Sequence, residues 1–137
     1  MPLGDSIYWY NVGQEYYGQR FFNRIKSAFP NIDIIINNHN TMPHRRMPRI
    51  YKKCFVVLRL VDHDGFSQTC AEAGLMGRIS IWNNKTTFSR QYKDIDEVIE
   101  IIRELKKGYN YKLISSLAKN YILENEKKWL KIIQQYQ

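Results

Sequence analysis

Acidic residues are scarce in this chain. Thirteen Asp and Glu stand against 21 Lys and Arg, a net charge of +8. A basic balance favours phosphate-bearing partners: nucleotides, nucleic acid or an anionic membrane surface. It does not choose among them. Many of the lysines, such as Lys106, Lys107, Lys127, Lys128 and Lys131, fit the solvated faces of C-terminal helices. Cysteine is scarce too. Cys54 and Cys70 allow one disulfide at most. Cys54 opens an apolar strand-like run and Cys70 falls in a helical pattern. Both read as reduced core thiols of an intracellular, cytoplasmic protein. No apolar run approaches the ~20 residues of a membrane span. No basic segment followed by a long apolar one marks a secretory leader, so none is expected. Internal repeats, low-complexity tracts and flexible linkers are missing. His39, His44, His63 and Cys54 lack zinc-like spacing, so no metal site is expected. There is no P-loop, Gly-x-Gly-x-x-Gly or Ser-His-Asp arrangement.

What is present is a core. The chain has 137 residues, with 44% hydrophobic and 14% aromatic content, which argues against disorder and for one domain spanning 1–137. A chain of this size buries roughly two-thirds of its unfolded surface. Four apolar runs read as strands: Ile7 to Tyr10, Ile32 to Ile36, Phe55 to Leu58 and Ile79 to Trp82. They are continuous rather than alternating, as in strands covered on both faces. Helical patterns separate them. Phe21, Phe22, Ile25 and Phe29 recur at helical spacing before Pro30 and Asn31 stop the pattern. A short helix is expected from Met47 or Pro48 to Lys53, and another from about Gln68 to Met76, closed by Gly77. Strand–helix alternation predicts an α/β fold: a Rossmann-like, doubly wound parallel sheet with right-handed crossovers. After Trp82 the pattern becomes helical. Asp94 is a plausible N-cap before the stripe Ile95, Val98, Ile99, Ile102, Leu105, and Gly108 ends it. Two further helices are expected, about Tyr111 to Leu123 and Glu126 to Tyr136.

The densest chemistry lies between the third and fourth apolar runs, in His63-Asp64-Gly65-Phe66-Ser67-Gln68-Thr69-Cys70-Ala71-Glu72-Ala73-Gly74. Asp64 falls in the loop at a strand's carboxyl end, and Glu72 falls on the first turns of the following helix. The amides of Gly65, Phe66 and Ser67 lie between them. Helix amino ends bind anions, and open α/β sheets bind ligands at the carboxyl ends of their strands. The segment therefore offers donors for a phosphate or sugar oxygen, flanked by carboxylates that accept from hydroxyls.

Asp64-Gly65-Phe66-Ser67 followed by Glu72-Ala73-Gly74-Leu75-Met76-Gly77 resembles the signature of retaining GT-B glycosyltransferases. That large family pairs an acid with a Glu across seven residues, in its C-terminal, donor-binding domain. Pro48 to Cys54 is similar to the family's short helix before the signature. Asn120 to Glu126, followed by Trp129, is similar to its closing helices. The resemblance implies one half of a GT-B fold that binds a nucleotide diphosphate sugar for metal-independent transfer, with no other cofactor. It implies that Asp64 meets the donor sugar and Glu72 the ribose. Gly65, Phe66 and Ser67 would approach sugar and phosphate, and Thr69 would supply a nearby hydroxyl. The family's Gly-Arg and Lys after the first strand, which neutralise the pyrophosphate, are missing from Tyr10 to Gly18. Asn11 and Tyr17 stand there as uncharged hydrogen-bonding groups. Arg59 and Arg20 are the substitute cations. For Arg59 a salt bridge with Asp62 or Asp64 is an equal alternative.

A GT-B enzyme has two such domains, and there is room here for one. The expected partners are a nucleotide sugar, a second glycosyltransferase subunit or another copy of the chain, and a peripheral membrane contact. A non-catalytic binding or assembly subunit that keeps the fold is the rival reading. Nucleic-acid binding rests on charge alone and is weakest. The cluster Arg45, Arg46, Arg49, Lys52 and Lys53 is open to phosphate, lipid, a partner subunit or plain solvation.

Overall fold

The computed structural model describes residues 2–11, 18–36, 44–62, 64–65 and 67–135, with side chains up to residue 125 apart from residue 44. Each predicted apolar run forms a strand: β1 (Ser6–Trp9), β2 (Ile34–Ile36), β3 (Cys54–Arg59) and β4 (Ile79–Trp82). A two-residue strand that the sequence did not announce, β5 (Ser89–Arg90), completes the sheet. The five strands run in the order β2-β1-β3-β4-β5, and every pairing is parallel. The fold is α/β and Rossmann-like.

Helices cover both faces. α1 (Phe22–Ala28) and α4 (Ile95–Lys106) pack on one face, where Ile25, Phe29, Val98 and Ile102 meet Ile7, Trp9, Val56, Leu58 and Ile81. α2 (Met47–Lys53) and α3 (Gln68–Leu75) cover the other face, where Met47, Ile50, Tyr51 and Ala73 meet Tyr8 and Val57. Alternate residues of a strand point to opposite faces, so both sets must be apolar. This is why β3 reads as an unbroken apolar run. α4 begins where the sequence placed it, with Asp94 Oδ1 accepting from the Glu97 amide at 2.9 Å. α3 is capped by Ser67, whose Oγ accepts from the Cys70 amide at 3.2 Å.

The C-terminal part needs a correction. In place of two helices there is one, α5 (Tyr111–Gln135), of 25 residues. Neither Gly nor Pro lies between Leu123 and Glu126 to break the ladder. Asn125, in the expected gap between the two helices, donates from Nδ2 to the Tyr121 carbonyl at 3.0 Å, one turn back.

Both cysteines are buried and unbridged. Burial pushes the Cys70 thiol up to about 11 and the Cys54 thiol up to about 12. The thiolate is the reactive species. Neither thiol is therefore expected to react with a disulfide reagent at pH 8 in the native protein, and both should react in urea. Rapid labelling of one thiol in the native state would contradict this packing. The sign for stability follows: the folded thiols hold their protons more tightly, so their contribution is full below about pH 9 and is lost as pH rises through 11–12.

Candidate functional site

The strand order reverses between β1 and β3, because β2 lies on one side of β1 and β3 to β5 lie on the other. Crevices at such switch points, outside the carboxyl ends of the strands, are where open α/β sheets bind ligands. The described residues there are Tyr10 and Asn11 after β1, Arg59 at the end of β3, Asp64 and Gly65 before α3, and Trp82 at the end of β4.

Asp64 is held from two strands. Arg59 and Trp82 are register partners on β3 and β4. Each extends toward the same carboxylate oxygen: Arg59 Nε donates to Asp64 Oδ2 at 3.0 Å, and Trp82 Nε1 donates to it at 2.9 Å. The Arg59–Asp64 pair is mostly buried, at 13% and 12% side-chain exposure. The ion pair that the sequence allowed for Arg59 is present, with Asp64 as the acid. Burial works against the Arg59 charge, but the Asp64 hydrogen bond and Coulomb attraction outweigh it, so the net shift is upward. The Arg59 guanidinium carbon also lies 4.4 Å from the centroid of the Tyr10 ring, a cation–π distance. The loop is tied down from the far side as well: Asn84 Nδ2 donates to the Gly65 carbonyl at 2.8 Å.

Glu72 lies five residues into α3 and is partly exposed. Tyr51 on α2 donates its phenol to Glu72 Oε2 at 3.1 Å; the Thr69 carbonyl, at 3.5 Å, is the poorer acceptor. Burial, then the neighbouring Glu72 charge, holds the Tyr51 phenol far above the ordinary tyrosine value. It remains a donor at any working pH. Tyr8 stands edge-on to Tyr51, ring centroids 6.0 Å apart. Its hydroxyl is buried and, among the described residues, has no hydrogen-bond partner. Burial raises its pKa as well. An orphaned buried hydroxyl costs roughly 1–3 kcal/mol.

The remaining candidates divide. Gly65 is exposed at the loop tip, Ser67 is buried as the α3 cap, and Thr69 is half-buried on the first turn. Asn11 is wholly buried, and its amide donates to Gln19 Oε1 at 2.6 Å. Arg20 is exposed, its guanidinium carbon 4.3 Å from the Phe21 ring centroid. Tyr17, Phe66, His39 and His63 lie outside the described residues. Gly65, Trp82, Asn84, Lys85, Thr86 and Tyr121 line a surface groove of about 360 Å³.

Sequence reasoning placed Trp82 at the end of an apolar strand and gave Tyr51 no role. Trp82 carried a signal, since a buried indole N–H at a strand's end needs an acceptor. Tyr51 carried none, because its acceptor is 21 residues away. Among the described residues no group of His, Cys, Asp or Glu could hold a metal ion, and no helix is long and apolar enough to cross a membrane. No family model, curated protein or solved structure matches this chain.

Proposed function

We propose that the chain binds a nucleotide diphosphate sugar at the carboxyl edge of its sheet, as the donor half of a retaining glycosyltransferase. One observation carries the reading: two acids bracket the amino end of α3 beside the switch point, Asp64 ahead of it and Glu72 within it. A ribose diol calls for a fixed acceptor. Tyr51 donates to Glu72 Oε2 and so fixes the carboxylate. Asp64 serves sugar hydroxyls through the oxygen that Arg59 and Trp82 leave open. The amide end of α3 suits the pyrophosphate, and amides aimed at a leaving group stabilise charge as it develops. Transfer also needs an acceptor hydroxyl held against the anomeric carbon, with water excluded. One sheet provides one wall of such a cleft, so activity is assigned to a complex with a second domain or subunit.

The state of Asp64 favours a second reading. Its carboxylate is already engaged by Arg59 and Trp82, and the Arg59 charge is engaged with it. A subunit that binds or assembles without turnover fits that pairing.

Calorimetric titration with uridine and guanosine diphosphates and their sugars tests the binding. Glu72→Ala is expected to weaken it by about 1.5–3 kcal/mol, or roughly ten- to hundred-fold. Glu72→Gln, which keeps an acceptor for Tyr51, separates lost charge from lost packing. Wild type and Glu72→Ala with equal affinities, or no binding by the wild type, would overturn the proposal.

A further inference from the structure

The segment from Ile34 to Val61 contains six Arg and Lys and no Asp or Glu. Five of these cations, Arg45, Arg46, Arg49, Lys52 and Lys53, lie on the 3-10 turn His44–Arg46 and on α2, and all five are exposed. Met47, Ile50 and Tyr51 are the buried residues of the same helix. At about 100° per residue the five cations occupy roughly a third of the helix circumference, and the buried three face away from them. Among the described residues, none of the five side chains has a hydrogen-bond or ion-pair partner. From Arg45 to Lys53, eight steps of helical rise, the stripe is about 12 Å long. Like charges crowded in this way repel one another, and the chain places no acid among them to relieve it.

We propose that this stripe docks the protein on an anionic lipid surface through headgroup phosphates. Its shape favours lipid over nucleic acid. α2 is backed along its whole length by the sheet, with Ile50 and Tyr51 packed beside Tyr8 and Val57, so it cannot project into a groove as a reading helix does. Its aromatic residue, Tyr51, is 1% exposed, so it provides no stacking platform for unpaired bases. A convex row of cations does meet a plane of mobile headgroups, which rearrange to pair every charge. The exposed residues of α2 are charged apart from Pro48, so the attachment is electrostatic, without an inserted apolar face, and salt reverses it.

Co-sedimentation of the whole chain with vesicles tests this. Binding is expected to phosphatidylcholine vesicles containing phosphatidylglycerol and not to phosphatidylcholine alone, and it should be lost at high salt. The variant Arg45→Gln/Arg49→Gln/Lys52→Gln should bind about a hundred-fold more weakly, at about five-fold per cation. These side chains are exposed, so its circular dichroism should match wild type. Lys106→Gln/Lys112→Gln/Lys119→Gln, on α4 and α5, controls for net charge and should bind nearly as wild type. Three outcomes would overturn the proposal: equal binding to neutral vesicles, an equal loss in both triple variants, or loss of RNA binding by the α2 variant with vesicle binding intact.

Discussion

Replacing Arg78 with Met is expected to destabilise the protein by about 3–5 kcal/mol, because several buried carbonyls lose their donor at roughly 1–3 kcal/mol each. Arg78 is 0% exposed, although a guanidinium is among the side chains most costly to bury unpaired. Its Nε donates to the Tyr51 carbonyl at 2.7 Å, Nη1 to Met76 at 2.8 Å, and Nη2 to Pro2 at 2.6 Å and Lys52 at 3.4 Å. Tyr51 and Lys52 end α2, and Met76 ends α3. One guanidinium thus serves the carbonyls at two helix carboxyl ends, where the dipoles are negative, and pins the N-terminal segment to them. Methionine fills much of the volume but leaves those carbonyls without their donor. Arg78→Lys keeps the charge but not the fork geometry, so it should recover only part of the loss. Urea unfolding measures both. An unfolding free energy for Arg78→Met within about 0.5 kcal/mol of wild type, the usual range for a surface change, would contradict this role.

Gly77→Ala should cost a comparable amount, about 2–5 kcal/mol, by a different mechanism. Gly77 closes α3 at φ 83. The Arg78 amide reaches the Ala73 carbonyl at 2.8 Å and the Gly77 amide reaches Gly74 at 2.8 Å, the pair of bonds of a Schellman cap. A Cβ at Gly77 would stand 2.5 Å from the Tyr111 carbonyl oxygen, which is backbone at the start of α5. That atom cannot move without moving the helix. Gly108 provides the comparison: its φ is 105, but a Cβ there meets nothing within 4 Å. Gly108→Ala should therefore show the left-handed penalty alone, about 1–2 kcal/mol. Thermal melts of the two variants separate backbone strain from the clash. Equal losses would mean that the α3–α5 contact contributes nothing.

Both changes act on the turn that sets α3 on the sheet, and α3 carries Glu72 and the Ser67 cap. The large stability effects and the candidate site therefore share one element. This is why nucleotide affinity has to be compared in variants that remain folded, and why Glu72→Gln accompanies Glu72→Ala.

Much of the architecture was legible. Continuous apolar runs at Phe55 to Leu58 and Ile79 to Trp82 identify strands covered on both faces, because both sets of alternate side chains must be apolar. Asp94 and Gly77 mark helix ends, because capping is settled within three or four residues. The alternation of strands and helices leaves a parallel sheet as the natural solution. The missed features have local explanations. β5 is two residues long and carries no periodicity. Between Leu123 and Glu126, where two helices were expected, the helix continues and Asn125 bonds one turn back.

For the candidate site, the chain by itself determined the residue types and their spacing: an acid, a Gly-Phe-Ser turn and a second acid on the next helix. The tertiary structure decided what those acids touch. Trp82 meets Asp64 across 18 residues of sequence, Tyr51 meets Glu72 across 21, and Arg78 meets Tyr51 across 27. Local propensity and periodicity act over a few residues and say nothing at such separations. The β3–β4 register places Arg59 beside Trp82, and the packing of α2 against α3 brings Tyr51 to Glu72. Both follow from crossover connections and from how two helices fill the space over one sheet face.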